Sequence, residues 1–205
     1  MTLKWGYKRA FLRSALIFAV GVVLQLVMGD LNNSFLRYPW GLIIAVNYLY
    51  LLILANIYAD KWQWVRRLSD HYASASALAS MVVMCIIFGF TRQDVATEGL
   101  VGALGFSRMT SSWPFNLLLL YFTTTLGLMA IDDVRHFRQR SVARLMSHVA
   151  PFVAIAAMMF GSGDKLRVTL RTSLDKTVYV GVDRNGESVE LPFAITLRGF
   201  RMEEY

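Results

Sequence analysis

Five stretches of the chain stay apolar long enough to form membrane helices, and short polar clusters separate them. The runs are Ala15–Met28, Trp40–Tyr58, Tyr72–Phe90, Trp113–Ile131 and one with its core at Pro151–Phe160, expected to begin near Ser147. The first reaches back to about Phe11 if Arg13 snorkels to the interface. A hydrocarbon core of roughly 30 Å asks a helix for about 20 such residues. From Lys165 the period becomes two, in KLRVTLRT, KTVYVGV and SVELPFAITLRGF, with Asp183-Arg184-Asn185-Gly186 as turn chemistry between strands. The expected fold is an α-helical membrane bundle of about five transmembrane helices followed by an extracytoplasmic antiparallel β segment. The expected segmentation is an N-terminal helix in 1–35, a hairpin in 36–91, an external loop in 92–112, a second hairpin in 113–163 and the β segment in 164–205. Roughly forty residues of β structure make a small core. The sheet is therefore expected to be incomplete at Tyr205, and to need more chain or a partner.

Composition narrows the class. The chain is 56% hydrophobic, with a mean hydropathy of +0.44, more apolar surface than a soluble domain of 205 residues can hide. Its net charge of +7 does not point to nucleic acid, because the basic residues lie between apolar runs, where they hold loops at the cytoplasmic face. The single cysteine, Cys85, excludes an internal disulfide. No CxxCH and no GxxxxGK[ST] occurs, which argues against covalent haem and ATP hydrolysis in this chain. A signal peptide begins in a similar way, but Gly29-Asp30-Leu31-Asn32 is a poor cleavage site, so the first run reads as a retained helix.

Lys and Arg set the orientation. Lys4, Lys8, Arg9 and Arg13 precede the first run; Lys61, Arg66 and Arg67 follow the second; Arg135, Arg138, Arg140 and Arg144 follow the fourth. The loop after the first run has only Arg37, and the loop after the third has Arg92 and Arg108 beside Asp94 and Glu98. Five spans with a cytoplasmic N-terminus and an outer C-terminal segment fit this alternation. In the third loop, GLVGALGF is too short to span and reads as interfacial or re-entrant.

The second and third runs resemble the fourth and fifth. Trp40 aligns with Trp113 and His71 with His148, with a basic loop and a terminal glycine in the same order, which suggests a parallel duplication. His148 is the sharpest candidate for chemistry, since imidazole ligates iron and a buried polar ring needs a partner. Its plainer reading is a half-solvated residue at the headgroup level. His71 has the same two readings. His136 reads as a solvated loop residue, and Met158 and Met159 as packing. Pro151 is expected to start or kink the helix close to His148. The arginines are inside anchors, or else recognise anionic lipid or carboxylates, with Asp132-Asp133 as their partners.

TSSWPFNLLLLYFTTTLGL, ARLMSHVAPFVAIAAMMFGSGD and LPFAITLRGFRMEEY resemble the ResB (CcsB) family of cytochrome c biogenesis proteins, and within it the Bacteroidetes-type ResB-like proteins. The resemblance covers 105–205 well and the earlier hairpins loosely. It implies a haem-handling accessory subunit of the system II machinery in the cell inner membrane, not catalytic alone, that moves b-type haem outward with a CcsA-like membrane protein for attachment to apocytochrome c. It implies His148 as an axial ligand of haem iron, with a histidine of the CcsA-like partner as the favoured second ligand, His71 as the internal candidate, and Arg144 or Arg140 near the propionates. The rival readings are a small-molecule transporter or channel subunit, and a structural anchor for a β domain without cofactor.

Overall fold

The computed structural model describes residues 6–59, 61–93, 99–139, 141–165, 168–183 and 186–201. Lys4, Asp94, Glu98, Arg140, Leu166-Arg167, Arg184-Asn185 and Glu203-Glu204-Tyr205 lie outside the described residues. The chain divides into two compact units between Gly163 and Asp164.

The first unit is helical: α1 (Tyr7–Met28), α2 (Trp40–Ile57), the short α3 (Gln63–Leu68), α4 (His71–Phe90), the one-turn α5 (Leu100–Ala103), α6 (Trp113–Arg135) and α7 (Val142–Phe160). Of these α1, α2, α4, α6 and α7 are long and apolar enough to cross a membrane. GLVGALGF forms α5 and, after a left-handed Gly105, a tight helical stretch over Phe106–Ser111.

α6 is the central helix. In its apolar window 56% of residues are buried, against at most 28% in the other four spans. It packs on α1, α2, α4 and α7. Its position explains its composition. Thr123 and Thr125 are fully buried, and their hydroxyls donate to the carbonyls of Leu119 and Phe122 at 2.7 and 2.9 Å, which removes the cost of burying them. Thr124 shares a 2.9 Å hydrogen bond with the Tyr48 hydroxyl and ties α6 to α2. Gly127 lets α2 and α7 come close, since a methyl there would sit 2.6 Å from the Phe152 ring and 2.7 Å from Leu52. The outer helices turn apolar side chains such as Leu16, Val23, Leu51, Val83 and Val153 outward, as spans that meet hydrocarbon do.

Two boundaries differ from the sequence expectation. α6 does not stop at Ile131 but continues through Asp132 and Asp133 to Arg135. α7 begins at Val142 rather than near Ser147, with the Ser141 hydroxyl accepting from the Arg144 amide at 3.3 Å. A helix keeps its own backbone bonded beyond the apolar zone, so a run of apolar residues marks the membrane part and not the helix end. Consequently His148 lies in the second turn of α7, and Pro151 is accommodated inside the helix.

The second unit is an antiparallel sheet in the order β1 (Val168–Thr169), β2 (Thr177–Asp183), β3 (Ser188–Thr196). The β2–β3 turn closes through Gly186, at φ 84°, with the Asp183 amide donating to the Glu187 carbonyl at 2.9 Å. Val180 pairs with Glu190 and Val178 with Ile195, so residues 191–194 stand opposite Tyr179 in an irregular stretch. Pro192 belongs there: it has no N–H to give a ladder, and an edge strand at a bulge tolerates that.

Candidate functional site

α2 and α6 end where α4 and α7 begin, and a cavity of about 890 Å³ lies among these four helix ends and α3. The short α3 is fastened by Val65, which is fully buried with Leu52, Leu126, Leu128, Ala130 and Phe152. That anchor sets Arg66 and Arg67 in the cavity wall, on the last turn of α3, where the helix dipole favours cations. Arg135 and Arg144 add two more, so that four guanidinium groups line the cavity among the described residues.

Every histidine of the chain is at this end, and each has Nδ1 on an aspartate. His71 pairs with Asp70 at 2.8 Å, at the start of α4. His136 pairs with Asp132 one turn back, at 3.2 Å from the carboxylate and 2.9 Å from the carbonyl. His148 pairs with Asp133 across the α6–α7 hairpin at 2.6 Å. A carboxylate on Nδ1 fixes the ring and leaves Nε2 for a further partner. The settings differ: the His71 side chain is 64% exposed, the His148 side chain 20%, and the Asp133 carboxylate 2%.

Asp133 also meets Arg144, whose Nε lies 3.3 Å from Oδ1. Arg135 instead reaches back to α2, with Nη1 2.6 Å from the Asn56 side-chain oxygen and 3.3 Å from its carbonyl. Asn56 is in the last turn of α2, where carbonyls lack helical donors, so this bond closes that helix end. Among the described residues, neither Arg66 nor Arg135 has a carboxylate partner, while each of Asp70, Asp132 and Asp133 is engaged by a histidine. An acidic group that enters the cavity therefore meets guanidinium charge that the lining has not used.

Of the residues expected at a site, His71 and Arg144 line this cavity together. His148 is not in the lining; it reaches the cavity only through Asp133. Arg140 lies outside the described residues. The Asp133–Arg144 pair follows the expected pairing of Asp132-Asp133 with the arginines, while the Asp133–His148 bond and the part played by Asn56 were not foreseen. Their signal was present, in a carboxylate at the end of an apolar run and a lone amide inside another.

For haem, the lining supplies guanidinium groups for the propionates and the His71 imidazole for iron. Among the described residues, the apolar side chains in the lining are Ala59 and Met129. The acidic edge of a porphyrin thus fits the cavity, and its apolar faces fit only outside it, against lipid or a partner. Compared with known protein families, with curated proteins and with solved structures, the chain matches none of them.

Proposed function

We propose that this chain is a membrane-spanning haem-handling protein that takes an acidic amphiphile at its arginine-rich end. The observation that carries the reading is the cavity where Arg66, Arg67, Arg135 and Arg144 share a wall with His71. In this reading Arg66, Arg67, Arg135 and Arg144 would hold the propionates, and the His71 imidazole would be the ligand offered to iron. His148 acts through Asp133, holding the carboxylate that holds Arg144. The resemblance of residues 105–205 to ResB-like proteins supports haem as the cargo, with a CcsA-like partner and apocytochrome c as the recipient. The Lys/Arg alternation supports an inner-membrane topology with the N-terminus and the cavity cytoplasmic and the β unit outside.

Haem titration of the detergent-purified chain tests this. A Soret shift characteristic of nitrogen ligation is expected, lost in His71→Ala and restored by free imidazole. In His148→Ala the spectrum should persist with weaker binding. An unchanged spectrum in His71→Ala, or no haem binding at all, overturns the reading.

A further inference from the structure

We propose that the same cavity is the seat of an anionic phospholipid headgroup, whose phosphate lies on the guanidinium groups of Arg66 and Arg135. The proposal rests on the anion-binding reading of the cavity but not on haem. Arg66 and Arg135 line the wall without a carboxylate partner among the described residues, while Asp70, Asp132 and Asp133 of the lining are each held by a histidine. Phosphate oxygens match the planar guanidinium fork.

Depth selects lipid over a free anion. Immediately beside the cavity residues Ala59, Gln63 and Arg66, the chain exposes Tyr58, Trp62 and Trp64. Trp62 stacks on Trp64 with ring centres 5.9 Å apart and planes at 18°, and the Lys61 ammonium stands 5.8 Å from the Tyr58 ring. Tryptophan and tyrosine beside lysine are the side chains that settle at headgroup level. A cavity with that rim opens where phosphates are, not in bulk water. On the same helices, Ile53 and Ile57 of α2 and Met146 of α7 expose apolar surface that could take acyl chains. An interhelical basic pocket at this depth is the kind that holds acidic headgroups.

Spin-labelled lipid at the protein surface reads the effect. The chain is placed in phosphatidylcholine vesicles with a minority of phosphatidylglycerol, and the selectivity of bound over bulk label is measured for each lipid. Phosphatidylglycerol should be preferred, and Arg66→Gln with Arg135→Gln should reduce the preference about tenfold, the effect of losing charged hydrogen bonds. Arg66→Gln alone leaves the Asn56 bond intact, so a well-folded variant is available, and Arg66→Lys should keep part of the preference. Lys8→Gln removes a charge at the same end but outside the lining and should change little. An equal loss in Lys8→Gln and Arg66→Gln would mean a diffuse surface charge and overturn the proposal. Displacement of the label by inorganic phosphate would assign the site to a free anion and also overturn it. Haem titration of the same variants separates the two ideas: lipid preference without haem binding removes the haem reading alone, and haem binding without lipid preference removes this one alone.

Discussion

Asp133 and His148 are joined at 2.6 Å across the α6–α7 hairpin, the carboxylate almost wholly buried and the imidazole partly so. The pair ties the last turn of the central helix to the second turn of α7 and leaves the other carboxylate oxygen for Arg144.

Removal of that carboxylate takes the acceptor from both His148 and Arg144. Asp133→Ala should lower stability by about 2 kcal/mol, less than a fully buried pair because Arg144 and His148 keep some solvent. Asp133→Asn, which retains an acceptor, should lose less. Thermal unfolding in one detergent compares the three proteins. Equal melting of all three would mean that the pair is incidental.

The close approach at Gly127 makes a second prediction. Gly127→Ala should destabilise the bundle by about 1–3 kcal/mol through overpacking against Phe152 and Leu52. Adding Phe152→Leu to Gly127→Ala should recover part of the loss. If the double variant is as unstable as the sum of the singles, the contact is not the cause.

Topology is checked by labelling in intact cells after Cys85→Ser, which removes the chain's own thiol. A membrane-impermeant maleimide should reach Gly186→Cys and not Ser141→Cys. Labelling of Ser141→Cys without permeabilisation would reverse the proposed orientation.

The sheet should protect its strands unequally. β2 is bonded on both sides and, among the described residues, β1 pairs through Val168 and Thr169 on one side. Amide exchange should therefore be slowest at the β2 residues paired with both neighbours, such as Val182, and fastest in β1 and the irregular stretch 191–194. Uniform exchange across the unit would mean that the strand order does not govern its stability.

Run length and apolar continuity made the five long apolar helices readable, because a bilayer would demand both at once. The alternation in KTVYVGV and SVELPFAITLRGF likewise indicated β2 and β3. The centrality of α6 was harder to read, since three consecutive threonines at 123–125 look like a weaker span until one sees that their hydroxyls bond to their own helix. The site was readable only in part. His71 and Arg144 stood out by type. The pairing of Asp133 with Arg144 was expected from opposite charge, but the bond from His148 to the same carboxylate was not, since no spacing along the chain reports a contact across a hairpin. The Ser141 cap, a serine just ahead of α7, was a local signal for where that helix begins.

Gln25 of α1 accepts a hydrogen bond from the Trp113 amide at the first residue of α6, at 2.9 Å, and Asn56 of α2 holds Arg135 at the last. A rod of 23 residues, about 34 Å long, is thus clamped at both tips to different neighbours. Most single spans adapt to a thinner bilayer by leaning over. Here a lean of α6 relative to α1 and α2 would shear one clamp or the other, so α6 should keep its angle to those neighbours, and a tilt in a thinner bilayer would have to be shared by all three helices.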